Sequence, residues 1–335
     1  MPTIRANVLG GKPLFDIASY GRGGPARRDR LSPAEIALIS RTVYRVPEVM
    51  VKVTSGGGAT TARGVNAHFS YISRKGELEI ETDEGERLIG RGVGQQLIEE
   101  WDLDLEENRK RTQLFAIERR RPPKLVHRVI FSMPSGTPPE KVLAAVHGFA
   151  REEFGRKHRY AMVLHTDEPH PHVHLVVKAV SENGVRLNIN RTTLQHWRQE
   201  FARQLRAQGV EANATDRRVR GQTRAPKLDS IFRAAQRGES SHMTARVRDV
   251  VRELQTGALD QTGIARLQRT RMEIVRGWYA VRDLLVAEGR HQLSGQVSRF
   301  VSQMPPPRSE KQWLAGDLIE RSRPPPRTKD KPLDR

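Results

Sequence analysis

The chain has 335 residues, and its 58 Lys and Arg against 39 Asp and Glu give a formal net charge of +19. This excess favours a polyanionic partner such as nucleic acid, because each phosphate that a basic side chain neutralises releases counterions. The absence of cysteine excludes disulfide frameworks and Cys-based zinc sites, and an aromatic content of 5% argues against a surface built mainly on base stacking.

Strands and helices alternate between residues 48 and 212, and this alternation predicts an α+β domain. Alternating Val49, Val51 and Val53 indicate its first strand, and apolar residues at helical spacing indicate amphipathic helices. The patterns predict strands at 48–54, 77–82, 126–132, 160–165 and 172–180, and helices at 33–44, 60–74, 93–101, 139–154 and 192–208.

Changes in composition divide the chain into four predicted regions. Residues 1–47 form a basic N-terminal extension with one short helix, and residues 48–215 form the α+β domain. Residues 216–303 are a basic linker and a helical region without strand signals. Residues 304–335 are rich in Pro and Arg, which favours an extended tail.

Four of the eleven histidines lie between His165 and His174, in the stretch HTDEPHPHVH. In a strand that begins near His170, alternation places His170, His172 and His174 on one face. A tight antiparallel connection would bring His165 opposite His172 or close to it. The imidazoles of His165, His172 and His174 could then hold one divalent metal and leave positions open for catalysis. The alternative is a surface loop that happens to be rich in histidine.

Two further residues border this predicted metal site. His170 stands between two prolines and is expected to line the site rather than to ligate. Asp167 lies in the turn, where a carboxylate can hold the second N–H of a ligating histidine or act as a catalytic base. Both roles for Asp167 are open at this point. Imidazole ligands suit Mn²⁺ or Zn²⁺, whereas phosphate chemistry usually employs Mg²⁺.

A metal site on a basic chain suggests cleavage of a phosphodiester by water or by a side chain. Without cysteine, the candidate nucleophiles are Ser, Thr and Tyr. Tyr71 stands out among the five tyrosines, because Arg74 and Lys75 follow it and His68 lies one helical turn before it. Tyr71 is the candidate nucleophile and His68 a candidate site-lining residue. The alternative for Tyr71 is a half-buried packing role.

Basic residues at two places are candidate DNA contacts. Arg74 and Lys75 follow the candidate nucleophile and would contact phosphates, with a solvated helix end as the alternative. Arg217, Arg218 and Arg220 begin the basic linker, where they could clamp DNA or be merely solvated.

These motifs together resemble the relaxases of plasmid mobilisation, within the HUH (His-hydrophobe-His) endonucleases. His172-Val173-His174 is similar to the HUH element, and the pattern from His165 to His174 resembles the third relaxase motif. The segment 71–79 resembles the first, nucleophile-bearing motif and is most similar to that of MobP-type relaxases and T-DNA border endonucleases. The resemblance covers about residues 49–215, with the tyrosine before the histidines as in relaxases.

The resemblance implies an antiparallel sheet flanked by helices, followed here by a helical C-terminal region. It implies that Tyr71 nicks single-stranded DNA at an origin of transfer through a 5′-phosphotyrosine, with Mg²⁺ or Mn²⁺ on the histidines. The implied partners are an accessory relaxosome protein and a type IV coupling protein. The implied location is the bacterial cytoplasm, with translocation to a recipient cell and no membrane insertion.

Two other interpretations stay open. An HUH-type transposase or replication initiator would use the same chemistry at different DNA sites. A non-catalytic DNA-binding accessory protein would keep the fold without needing Tyr71 or a metal.

Overall fold

The computed structural model describes residues 17, 30–54, 60–107, 123–222, 241–257 and 263–321. The described residues from Ala37 to Ala214 form one compact unit, and those before Ala37 and from Thr215 onward form a second. Most of the predicted N-terminal extension and the last fourteen residues of the predicted tail, 322–335, lie outside the described residues.

The first unit contains a mixed set of short and long strands that form one antiparallel sheet, which confirms the predicted fold class. In the described part of the chain the strand order is β1-β4-β6-β5-β2-β3. The strands are β1 Met50–Val53, β2 Ile80–Thr82, β3 Arg87–Leu88, β4 Val126–Ser132, β5 Tyr160–His165 and β6 His172–Lys178.

Within the described residues, five helices belong wholly or partly to this unit, and polar caps begin two of them. Thr61 accepts a hydrogen bond from the Gly64 amide at the start of α2, and Asn190 accepts one from the Thr193 amide at the start of α5. The helices are α1 Pro33–Val43, α2 Ala62–Ile72, α3 Val93–Glu100, α4 Pro139–Phe154 and α5 Arg191–Ala207.

Both faces of the sheet are covered, and this explains the nearly continuous apolar run of β6. Val173, Leu175 and Val177 face a core with α4 and α5, in which Trp197 is fully buried. Val176 faces a second core on the other side, against α2 and α3. Because alternate residues of a strand point to opposite faces, His172 and His174 share the α2 side with Val176.

The second unit is helical in its described part, with no strand there, as the sequence predicted for residues up to 303. Trp278 of α7 packs on Phe300 of α8, with ring centroids 5.2 Å apart. The Trp278 indole nitrogen also donates to the Val219 carbonyl at 2.8 Å. The helices in these described residues are α6 Ser241–Thr256, α7 Ile264–Ala287, α8 His291–Ser302 and α9 Glu310–Arg321.

The extended tail predicted for residues 304–335 is wrong over α9. Leu314, Ala315 and Leu318 recur at helical spacing and pack near Val250 of α6. Ser309 begins the helix, because its hydroxyl accepts from the Gln312 amide at 3.2 Å. The average composition of the tail, dominated by Pro and Arg, hid this local pattern.

The sequence also missed β3, whose two residues pair with β2 across a short hairpin. Two residues are too few to show an alternating pattern. Within the described residues, none of the helices has the length and apolar character that crossing a membrane would require.

Candidate active site

Three histidines meet on the α2 side of the sheet, where β5 ends and β6 begins. His165 lies directly opposite His172 in the antiparallel register, as the sequence predicted. The ring centroid of His165 lies 4.5 Å from that of His174 and 5.0 Å from that of His172. One ligand nitrogen from each ring lies within 4.8 Å of the others. This convergence is suited to a single metal ion.

Backbone carbonyls orient two of these rings. The Nε2 atom of His165 lies 2.6 Å from the carbonyl oxygen of Ile72, and Nδ1 of His172 lies 3.0 Å from that of His170. A carbonyl oxygen only accepts, so both nitrogens carry the proton. Nδ1 of His165 and Nε2 of His172 are therefore the lone-pair atoms, as in metal sites where the second nitrogen donates to an orienting partner.

Burial favours the uncharged form of two of these imidazoles. Burial and then the neighbouring imidazoles lower the pKa of His174 to about 3. Burial also lowers the pKa of His165. His165 and His174 thus favour the neutral form with an available lone pair, which is the protonation state that a metal requires.

Tyr71 lies beside the histidines, on the side of α2 that faces away from its core. Val65, Phe69 and Ile72 anchor the helix in the core, whereas the side chain of Tyr71 is 61% exposed. Its ring centroid lies 6.4 Å from that of His174. The exposure does not match a half-buried packing role, and it leaves the phenol open to a substrate.

His68 completes the wall of the site one turn earlier on α2. Its ring stacks on Tyr71 and meets His174 edge-on, each at a centroid distance of 6.3 Å. Burial, and secondarily the charge of Arg128, lowers the pKa of His68 to about 3. Its Nε2 is buried without a hydrogen-bond partner among the described residues. A neutral ring with an unused nitrogen thus lines the site.

Arg74 links Tyr71 to the histidine stretch. Its Nη2 donates to Asp167 Oδ2 at 2.5 Å and lies 3.3 Å from Nδ1 of His165. Its guanidinium carbon is 5.5 Å from the Tyr71 ring centroid. The hydrogen bond to Asp167 raises the pKa of Arg74. Arg74 is therefore a fixed positive charge next to the phenol.

Asp167 holds Arg74 rather than a histidine proton. Its Oδ1 is 3.9 Å from Nδ1 of His165, beyond hydrogen-bond distance, and the proton of that ring points to Ile72. Of the two roles expected for Asp167, orienting a ligand is thus filled by backbone carbonyls. The Arg74 hydrogen bond lowers the pKa of Asp167, which weakens it as a base.

Arg74 lies in the turn after α2, where the backbone has an uncommon conformation. Arg74, Lys75 and Gly76 all have left-handed φ angles, of 52°, 61° and 90°. A Cβ on Gly76 would lie 2.2 Å from the carbonyl carbon of Gly90, so a side chain there has no room. Glycine at this position permits both the conformation and the close approach.

Arg128 is a site neighbour that the sequence reasoning did not single out. It lies on β4 opposite Val176, and its Nη2 donates to the Gly64 carbonyl of α2 at 3.0 Å. Burial lowers its pKa. The alternation of β4 could have revealed it, because Ser132 of the same face pairs with His172.

The candidate DNA contacts fall into two groups. Lys75 is exposed next to Arg74 in the first unit, whereas Arg217, Arg218 and Arg220 belong to the second unit. The guanidinium of Arg220 hydrogen-bonds with Thr215 and Gln222 in its own turn. His170 is exposed, and its carbonyl rather than its ring contacts the cluster.

The part of the chain that contains this site is similar to known proteins. Residues 71–210 match the family model of the relaxase nuclease domain described as MobA/VirD2-like. The match begins at Tyr71 and contains all three histidines of the cluster.

Two curated relatives are T-DNA border endonucleases. VirD2 of Rhizobium rhizogenes is 25% identical over 214 residues, which cover 57% of this chain and 45% of that protein. VirD2 of Agrobacterium fabrum is 25% identical over 205 residues, which cover 58% of this chain and 45% of that protein. The chain thus spans less than half the length of these relatives.

Proposed function

We propose that this chain, whose residues 71–210 match the nuclease domain of MobA/VirD2-like relaxases, cuts and rejoins one strand of DNA. One observation carries the proposal: an exposed tyrosine, Tyr71, lies beside three convergent imidazoles. The net charge of +19 supports a polyanionic substrate.

In the proposed reaction the hydroxyl oxygen of Tyr71 attacks the scissile phosphorus. A bond forms between this oxygen and phosphorus, and the bond from phosphorus to the 3′-oxygen breaks. The 3′-oxygen keeps the bonding pair and takes up a proton, while the tyrosyl proton passes to solvent. One phosphodiester replaces another, so the step is near energy balance and its reversal reseals the strand.

The residues fit a divalent cation held by His165, His172 and His174. All three are imidazoles, which suits Mn²⁺ or Zn²⁺ as well as the Mg²⁺ of phosphate chemistry. When bound, such an ion supplies Lewis-acid polarisation of a phosphate oxygen. The guanidinium of Arg74 would bind a second phosphate oxygen.

We further propose that the substrate is single-stranded DNA at an origin of transfer and that the cut initiates conjugative mobilisation. The names of the relatives support a cut at a defined border. Under this proposal an accessory relaxosome protein exposes the strand in the cytoplasm, and a type IV coupling protein receives the covalent complex.

Formation of a covalent adduct tests the proposal. The full chain is incubated with Mn²⁺ and single-stranded oligonucleotides tiled across the DNA that flanks its gene, and adducts are resolved on denaturing gels. We expect an adduct with the native chain and none with Tyr71→Phe. Tyr44→Phe is the matched control, since Tyr44 is also a surface tyrosine, 51% exposed.

An undiminished adduct with Tyr71→Phe would remove Tyr71 from the mechanism. Failure of every oligonucleotide to give an adduct would favour the non-catalytic accessory protein. An adduct formed only at the terminal repeats of a mobile element would favour a transposase.

A further inference from the structure

A second feature suited to nucleic acid lies outside the histidine site, within the second unit. A cavity of about 380 Å³ opens between residues 217–222 and the first turns of α7. Thr270 and Gln222 add polar groups to its wall, and Leu267 adds apolar surface. Among the described residues that line it, none is acidic, and the charged side chains are Arg217, Arg218, Arg266 and Arg271.

Few carboxylates among the described residues lie near the arginine side chains of this cavity. The side chains of Arg217 and Arg266 make no ion pair or hydrogen bond with the residues that the structure describes. Arg218 approaches a carboxylate, that of Asp216, only to 3.9 Å. Such unpaired guanidinium groups are available to an anion.

Two hydrogen bonds to backbone carbonyls position Arg271 in the wall of the cavity. Its Nη1 donates to the Pro305 carbonyl at 2.7 Å, and its Nη2 donates to the Gly221 carbonyl. These acceptors are neutral, so they position the guanidinium without cancelling its charge. Burial lowers the pKa of Arg271, as expected for a cation that lacks a carboxylate partner.

The chemistry of the cavity fits phosphodiester groups. Guanidinium groups match phosphate oxygens with paired hydrogen bonds, and the apolar wall at Leu267 suits the sugar or base of the same nucleotide. The first turn of α7 adds the positive end of a helix dipole. A concave site admits the backbone of a flexible single strand, whereas a stiff duplex presents its phosphates on a convex surface.

We propose that this arginine cavity binds the phosphate backbone of single-stranded DNA and anchors the substrate through the second unit. The inference rests on the proposed function, which brings a single strand to the chain. It assigns Arg266 and Arg271, more than ninety residues beyond the histidines in sequence, to DNA binding. Arg217 and Arg218 act with them, whereas Arg220 secures its own turn.

Binding of a fluorescein-labelled oligothymidylate, followed by anisotropy over a salt series, tests the cavity. All chains carry Tyr71→Phe, which prevents covalent capture. Arg217→Ala/Arg266→Ala should weaken binding several-fold and reduce the salt slope by about 1.4, or about 0.7 per lost phosphate contact. Arg269→Ala/Arg276→Ala is the control, because it removes the same charge from exposed positions of α7 outside the cavity.

Equal losses in the cavity variant and the control would overturn the proposal in favour of a diffuse basic surface. Unchanged binding in both variants would overturn it as well. So would a cavity variant that loses as much affinity for duplex DNA as for the single strand. Circular dichroism verifies folding, and neither substitution removes a side-chain hydrogen bond or ion pair with the described residues. The adduct assay is a separate experiment. If no adduct forms, but Arg217→Ala/Arg266→Ala weakens oligothymidylate binding more than the control does, only the nuclease proposal is rejected.

Discussion

The two faces of the central sheet differ in what their side chains do, although β6 contributes to both. One face presents Val173, Leu175 and Val177 to an apolar core under α4 and α5. The other presents His172 and His174, with Val176 continuing into the core under α2 and α3. Alternate side chains of β6 therefore serve two purposes, because one set packs in the core and the other forms the histidine site. Substitutions on the two faces should therefore have different effects.

The largest effect on chemistry is expected for His174→Ala. Removing a ligand should lower Mn²⁺ affinity by more than the roughly 10–100-fold that loss of an orienting partner costs. The adduct should disappear, while the free energy of unfolding without metal changes little. Isothermal titration with Mn²⁺ and thermal melts with and without Mn²⁺ measure both, because a bound ion raises the melting temperature.

His196→Ala is the control for this experiment, since His196 lies on α5 against the other face and pairs with Glu153 at 3.3 Å. Native-like Mn²⁺ affinity in His174→Ala would contradict the metal site. Loss of Mn²⁺ binding in His196→Ala would contradict the separation of the faces.

The largest effect on stability is expected on the opposite face, for Phe131→Ala. The Phe131 ring lies 4.8 Å from that of Phe149 and 5.1 Å from that of Phe201, all in the core with α4 and α5. The cavity left behind should cost about 3–5 kcal/mol in the free energy of unfolding, measured by denaturant titration.

Mn²⁺ affinity of Phe131→Ala, measured well below its melting temperature, should stay near the native value. Phe131→Leu should lose much less stability, because it leaves a smaller void. A loss of Mn²⁺ affinity as large as in His174→Ala would show that the two faces are coupled.

Gly76→Ala tests how the turn after α2 contributes to the chemical face. Alanine at this position is strained by the left-handed φ, and its Cβ would collide with the Gly90 backbone. We therefore expect the free energy of unfolding to fall by at least about 1–3 kcal/mol and the adduct to form more slowly because Arg74 shifts. Gly85→Ala separates the two causes, because Gly85 has φ +85° but no atom within 4 Å of its Cβ. An equal loss in both variants would exclude the contact with Gly90.

Features set by spacing along the chain could be predicted from the sequence, whereas contacts between distant segments could not. The ends of β4, α4 and β5, and the opposition of His165 and His172, follow from period-two and helical spacing along the chain. The carbonyl of Ile72 that orients His165 could not be predicted, because it depends on how α2 docks on the sheet. The pairing of Arg74 with Asp167 likewise joins segments ninety-three residues apart.

The smallest effect on the chemical face is expected for Asp167→Asn, and its size discriminates between two roles. A carboxylate that only positions Arg74 should reduce the adduct rate less than tenfold when replaced by a neutral amide, whereas a general base would cost about 10²–10⁴-fold. Single-turnover adduct kinetics with saturating Mn²⁺ measure the rate. Arg74→Lys should reproduce most of the effect of Asp167→Asn if the pair acts as one unit.

The pH dependence of the pair follows from the lowered pKa of Asp167. A carboxyl whose folded pKa lies below its unfolded value stabilises the fold above the unfolded pKa, and this contribution disappears as the pH falls through the folded pKa. The native adduct rate should therefore not change through protonation of Asp167 at neutral pH. A rate that rises between pH 6 and 8 in the native chain and becomes flat in Asp167→Asn would instead identify Asp167 as a base, because only an elevated pKa could place its titration there.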